Sequence, residues 1–279
     1  MRVEDRFFDA LRRGDAVLVR VESTQGSVPR EAGAWMAVFA DEVVGTIGGG
    51  HLEYQALATA RALLADVNHA AGASDAPATR CALGPSLGQC CGGVVYLRFM
   101  RVGVADASRL RLLLAAARSP VALFGGGHVG AALAQVLAAL PFALSWIDSR
   151  DGIFPTSVPG NVACEHSDPV QAAVPHLAPG SRVVIMSFSH AEDLDVVAAC
   201  LKRQRVAGDL PYIGLIGSAT KWATFRHRLE ERGFTAQELA HVTSPIGVPG
   251  ISGKEPEVIA VAVAAQLLQS LEESKGQDA

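Results

Sequence analysis

The hydrophobic pattern of the chain changes character near residue 101. Beyond it, short continuous apolar runs alternate with longer runs of helical period. Val121–Phe124, Phe142–Ile147, Arg182–Met186 and Tyr212–Ile216 read as buried strands. Helices are expected over Ala131–Leu140, Ala191–Arg203, Ala219–Arg232 and from Pro256 to about Glu272. A strand-then-helix rhythm of this kind predicts a parallel sheet covered on both faces. The last helix carries Pro256 in its first turn, where a missing N–H does no harm. Its apolar stripe, Val258, Val261, Ala264, Leu268 and Leu271, is expected to pack into the core, with a subunit interface as the alternative.

The first part has another texture. An amphipathic helix, Val3 to Arg13, precedes a strand at Ala16–Val21 and a Gly/Pro turn. Short strands follow around Trp35–Phe39 and Glu42–Ile47, then a glycine triplet and a helix from about His51 to Asp66. Ala70–Ala78, rich in small and polar residues, is expected to be a mobile surface loop, and Val94–Phe99 closes the unit as a strand. The expected organisation is an α+β domain over 1–103, a linker over 104–118 holding the helical patch Ala107–Ala117, an α/β domain over 119–272 and a tail over 273–279.

Composition narrows the classes of function. Lys plus Arg total 24 against 28 Asp plus Glu, a net charge of −4, which argues against nucleic acid as a partner. The N-terminus is charged from Arg2 onward and lacks a signal-like apolar run. Five unevenly spaced cysteines do not form a disulfide framework, so a reducing cytoplasm is the expected setting. Ser119 to Ile147 carries no Asp, Glu, Lys or Arg, as a membrane span would. It also holds three consecutive glycines, His128 and Pro141, and a buried strand–helix–strand unit explains it better.

That unit contains the sharpest motif. Gly125, Gly127 and Gly130 fit G-x-G-x-x-G between a strand and a helix, and the next strand ends in Asp148. The first glycine permits a tight turn, the second lets backbone approach a phosphate, and the third lets helix and strand pack closely. The C-terminal domain is therefore expected to be Rossmann-like, with anion-seeking amides at the helix N-terminus. Other candidates at the expected strand ends are His190, Gly217, Ser218, Lys221 and Lys254. His190 reads as an acid/base group or as a cap. Each lysine reads as a phosphate contact or as a solvated side chain.

Three further glycine-rich clusters lie in the N-terminal domain. Gly26–Gly33 presents Arg30, either as a fork for a carboxylate or phosphate or as a solvated hairpin residue. Gly48, Gly49 and Gly50 lead into His51 and Glu53, either as an anion nest or as a steric turn with Glu53 serving the helix dipole. Leu83–Gly93 holds Gln89 and the adjacent Cys90 and Cys91, whose soft thiolates suit a soft or sulfur-bearing metal centre. Buried cysteines would be the plain alternative.

In order along the chain, Gly26-Ser-Val-Pro-Arg30, Gly45-Thr-Ile-Gly-Gly-Gly-His-Leu-Glu53, Gly88-Gln-Cys-Cys-Gly-Gly93, Phe124–Gly130, Ile147-Asp-Ser-Arg150, Ser189-His-Ala-Glu-Asp193, Gly214–Lys221 and Gly253-Lys-Glu-Pro256 resemble the XdhC/CoxI family. These are accessory proteins of molybdenum hydroxylases such as xanthine dehydrogenase. The resemblance covers nearly the whole chain. It departs at Gly125-Gly-Gly127, where Gly-Ala-Gly is usual, and at Ser187-Phe-Ser-His190, where Thr-His-Ser-His is usual.

The resemblance implies a chaperone rather than a catalyst. Such a protein binds the molybdenum cofactor (molybdopterin) and shields it while a cysteine desulfurase supplies sulfur. It then delivers the cofactor to apo-xanthine dehydrogenase. Cofactor synthesis proteins and a second copy of the chain, as a dimer or other homo-oligomer, are further implied partners. All the candidate residues above become expected cofactor contacts, with Cys90 and Cys91 nearest the molybdenum. The rival is an NAD(P)-dependent oxidoreductase, in which Asp148 would bind ribose hydroxyls.

Overall fold

A computed structural model describes residues 3–66, 78–84, 92–114 and 118–277, with side chains through Glu272. The chain divides into two compact units, Met1–Ala115 and Ala116–Ala279.

The first unit is built on an antiparallel sheet. Its strands are β1 (Ala16–Gln25), β2 (Trp35–Val38), β3 (Val43–Gly45), β4 (Thr79–Ala82) and β5 (Val94–Val102), in the order β3-β2-β1-β5-β4. Alternation along β1 sends Ala16 and Leu18 to one face and Val17, Val19 and Val21 to the other. Both faces are covered, which is why β1 reads as an unbroken apolar run. Helices α1 (Val3–Leu11) and α3 (Ala107–Leu113) pack on the first face through Phe7, Phe8, Leu11 and Leu110. Helix α2 (Gly50–Ala65) packs on the second through Leu52, Ala56 and Ala60.

Several sequence expectations change here. The segment 104–118 is not a free linker as far as Leu114, because Leu110 is fully buried against α1 and the sheet. Strand β1 runs on to Gln25, since pairing with Val94–Leu97 carries four polar residues that periodicity alone does not mark. The edge strand β4 has too few apolar residues to be recognised, and β5 recruits it. Most of the expected 70–78 loop lies outside the described residues.

The second unit is a parallel sheet of β6 (Ser119–Phe124), β7 (Phe142–Asp148), β8 (Val162–His166), β9 (Arg182–Ile185), β10 (Tyr212–Leu215) and β11 (Val242–Thr243). Their order, β11-β10-β9-β6-β7-β8, is that of a Rossmann fold. Helices α4 (His128–Ala138) and α8 (Pro256–Gln277) cover one face; α5 (His190–Ala207), α6 (Ala219–Glu231) and the short α7 (Ala236–Leu239) lie with the other core cluster. The charge-free stretch is therefore β6, α4 and β7. Among the described residues, no helix is long and apolar enough to cross a membrane.

Ala264, Leu268 and Leu271 of the expected α8 stripe pack on the core as expected, but the buried face is wider and leaves Val261 outside. Ala260, Val263, Ala264 and Leu267 pack in the core, while Val261 is 53% exposed. On a helix this rich in Ala and Val, several faces are apolar, and contact with α4 decides among them.

The burial of Leu110 can be tested. Leu110→Ala should destabilise the first unit by about 2–5 kcal/mol in urea denaturation, the usual cost of emptying a leucine site. A linker residue would change stability by less than about 0.5 kcal/mol.

Candidate functional site

The Rossmann order places β6 between β7 and β9, with the chain reversing direction across the sheet at the β6–β9 boundary. Ligands of such sheets bind beyond the strand C-termini at that boundary. Gly125 turns the chain out of β6 with φ of 125°, and a Cβ there would lie 2.0 Å from the Met186 carbonyl oxygen. A Cβ on Gly130 would lie 2.0 Å from the Gly125 carbonyl oxygen, so α4 and β6 pack closer than any side chain permits. Gly127 differs. It caps α4 with φ of −69°, and a Cβ there would meet nothing within 4 Å. Gly127 and His128 are exposed, which leaves the amide end of α4 facing open space.

Asp148, at the end of β7, is 2% exposed. One carboxylate oxygen accepts the Gly126 amide at 2.6 Å and Arg150 Nη2 at 2.8 Å; the other accepts the Arg150 amide at 2.8 Å and Nε at 2.9 Å. Burial pushes the Asp148 pKa up, but these hydrogen bonds and the Arg150 charge outweigh it and hold the carboxyl below its ordinary value. The ribose role expected of Asp148 meets a carboxylate already committed to its own loop. Ile153 adds to this, because a Cβ on Gly126 would lie 2.7 Å from Ile153 Cγ1.

The other strand ends are tied together as firmly. Ser187 donates its amide to Asp193 Oδ1 at 2.8 Å, and Lys221 Nζ donates to Asp193 Oδ2 at 2.6 Å and to the Ile216 carbonyl at 2.8 Å. Lys221 is thus neither solvated nor reaching for a phosphate; it clamps the β10–α6 turn to the start of α5. Gly217 leaves room for the Lys221 stem, whose Cδ would lie 2.5 Å from a Cβ. Ser218 caps α6, accepting the Lys221 amide at 3.2 Å. His190 is the exposed first residue of α5, its ring edge-on to Phe225 at 6.3 Å. Lys254 is exposed between β11 and α8.

In the first unit the glycine triplet does form a nest, and the chain fills it. Glu53 Oε2 accepts the amides of Ile47 at 3.0 Å and Gly49 at 3.1 Å, together with the Thr46 hydroxyl. Burial raises the Glu53 pKa, yet the hydrogen bonds from Thr46, Gly49, Ile47 and Gly48 bring it below the ordinary value. The three glycine clusters also converge. A Cβ on Gly48 would lie 2.7 Å from Pro29 Cβ, the Gly93 amide donates to the Ser27 carbonyl at 3.1 Å, and the Leu83 amide donates to the Gly93 carbonyl at 2.8 Å. Arg30, Gly50 and His51 are exposed around this junction.

Gln89, Cys90 and Cys91 lie outside the described residues. Among the described ones, no group of three or more His, Cys, Asp or Glu could hold a metal ion. Cys200 is fully buried, and burial pushes its thiol up to about 12, which leaves it protonated and inert.

Sequence reasoning passed over Arg150, Phe188, Glu192 and Asp193 as site residues. Ser149 Oγ donates to Glu192 Oε1 at 2.7 Å, the Phe188 amide donates to Glu192 Oε2 at 3.0 Å, and the Arg150 guanidinium lies 4.6 Å from the Phe188 ring centre. The available signal was position, since all four follow a strand C-terminus.

Comparison with known proteins gives consistent matches. Residues 121–267 match the family model of the XdhC Rossmann domain, and residues 10–70 that of the XdhC and CoxI family. The uncharacterized protein YqeB of Escherichia coli (strain K12) is 28% identical over 261 residues, covering 90% of this chain and 43% of YqeB. The chain thus spans less than half the length of that curated relative. A solved structure named as a xanthine dehydrogenase from Bacillus halodurans superposes with a TM-score of 0.74 at 17% identity, covering 98% of this chain and 96% of that one. At that identity it shows the shared fold.

Glu53 and Asp148, with Asp106, Asp209 and Glu238, are carboxyls held below their ordinary values, and together they set a pH dependence. Such a group stabilises the fold above its unfolded-state pKa, about 4, and that contribution is lost as pH falls through the lower folded value. Unfolding free energy should therefore be level from about pH 7 to 5 and decline below about pH 4. Asp148→Asn should cost at least about 1 kcal/mol at pH 7 and flatten the acid decline of the second unit. An unchanged acid slope in that variant would show that Asp148 does not carry it.

Proposed function

The chain belongs to the XdhC and CoxI family, and from that premise we propose that it serves the maturation of a molybdenum hydroxylase such as xanthine dehydrogenase. In this proposal it binds the molybdenum cofactor, protects it during sulfuration by a cysteine desulfurase and delivers it to the apo-enzyme, acting as a carrier rather than a catalyst.

The observation that carries the proposal is the division of labour within the fingerprint loop. Gly126 donates to Asp148, while the amide end of α4 at Gly127 and His128 is left open. The terminal phosphate of the pterin fits that open end, where unpaired amides and the helix dipole favour an anion. When bound, the cofactor would supply a soft molybdenum–dithiolene centre able to accept a sulfido ligand. The chain's part is to hold the phosphate and to supply thiols. Cys90 and Cys91 are the proposed thiols, with Arg30 and His51 beside the glycine junction as further contacts. Exposed Lys254 is a cation proposed for the phosphate, and His190 is a polar neighbour at the strand ends.

The NAD(P) alternative is less well supported. A dinucleotide laid over the strand ends would meet an Asp148 already engaged by Gly126 and Arg150. It would also cross the Ser149–Glu192 and Arg150–Phe188 contacts.

Gly127→Val tests the proposal. Its backbone is not strained and its Cβ points into open space, so the variant should fold as the wild type does. It should bind molybdopterin at least about tenfold more weakly, the cost of blocking one charge-assisted contact. Gly130→Ala, by contrast, should fail to fold, because its Cβ has no room. Equal molybdopterin affinity in wild type and Gly127→Val would remove α4 from the site.

A further inference from the structure

β7 and β9 flank β6 on opposite sides, so any contact between the segments that follow them spans the end of β6. Such contacts exist among the described residues. Ser149 bonds Glu192, and the guanidinium of Arg150 covers one face of the Phe188 ring at 4.6 Å. Phe188 is nonetheless 65% exposed, an unusual setting for a phenylalanine on an otherwise buried sheet.

The ring is held in place. Its own amide donates to Glu192 Oε2 at 3.0 Å, and the preceding Ser187 amide donates to Asp193 Oδ1 at 2.8 Å. Arg150 is fixed in turn by its paired hydrogen bonds to Asp148. An aromatic ring with fixed backbone, a cation behind it and solvent on its other face is preorganised for stacking. Ser187 Oγ, one residue away, is a buried polar atom with no partner among the described residues.

We propose that Phe188, backed by Arg150, is a stacking platform for the planar heteroaromatic ring of a ligand whose phosphate sits at the amide end of α4. The platform selects ringed phosphates over simple ones. It rests on the maturation proposal for the identity of the cofactor, while its chemistry is shared by two sources, a pterin phosphate and a nucleotide.

The test is isothermal titration of the full chain with neopterin monophosphate, GMP and ribose 5-phosphate, the last being a phosphate without a ring system. Phe188 is exposed and its removal leaves Asp148 and Arg150 paired, so Phe188→Ala should fold; circular dichroism checks this. The variant should bind one of the ringed phosphates about fivefold to a hundredfold more weakly, the range of aromatic stacking on a base. Ribose 5-phosphate affinity should be unchanged, and Phe188→Trp should keep or improve ring binding. Loss confined to neopterin monophosphate assigns the platform to the pterin; loss confined to GMP assigns it to a nucleotide. No binding of either ringed probe by wild type, no loss in Phe188→Ala, or equal loss toward ribose 5-phosphate would each overturn the platform. If Phe188→Ala loses affinity for neither ringed phosphate and holds molybdopterin as wild type does, the platform falls and the maturation role survives. If ring binding depends on Phe188 but molybdopterin never binds, the role falls and the platform survives.

Discussion

The buried carboxylate of Asp148 is the constraint on which the second unit's ligand face depends. It sits at the end of β7, yet it closes the β6 loop through the Gly126 amide and fixes Arg150 through paired hydrogen bonds. Without it, Gly126 would expose an unpaired amide and Arg150 would lose the anchor that lets it cover Phe188. Burial of a carboxylate costs free energy, and here four donors and a full positive charge offset that cost. A loop usually described as a phosphate cradle is thus part satisfied by the protein itself, and what remains open is the end of α4.

The same device recurs. Glu53 fills the glycine nest of the first unit, and Asp193 takes the Ser187 amide while pairing with Lys221. Each carboxylate ties down the turn whose amides it accepts. The consequence for function is selectivity by subtraction. Several amides that could bind a passing anion are already paired, while Gly127 and His128 at the start of α4 are exposed near the β6–β9 boundary. That arrangement suits a carrier that holds one phosphate-bearing ligand better than one that grips a dinucleotide along its length.

Much of the fold was legible in the sequence because its strands are buried on both faces. Val121–Phe124 and Val183–Ile185 are continuous apolar runs for that reason, and glycine spacing at Gly125–Gly130 marks where the first Rossmann turn falls. What periodicity missed were edges. β8, with Cys164, Glu165 and His166 exposed, and β4, with Thr79 and Arg80 exposed, carry almost no apolar pattern, and neighbouring strands impose their conformation. The candidate site was legible in outline only. Motifs singled out Glu53, Asp148 and Lys221 as cofactor contacts, whereas in the structure each is bonded within the chain; whether a charged group faces a ligand or its own backbone is decided in three dimensions. The motif Ser187-Phe-Ser-His190 brought Phe188 into view, but its exposure was not legible, because an exposed aromatic and a buried one look alike along a chain.

Anaerobic isolation of the full chain, followed by molybdenum analysis and mass spectrometry of whatever is released on denaturation, bears most directly on the central claim. The account expects molybdenum and pterin together, in amounts that approach one per chain, with NAD(P) absent. NAD(P) recovered without molybdenum or pterin would contradict it, and would mean that Asp148 and Arg150 open to admit a dinucleotide.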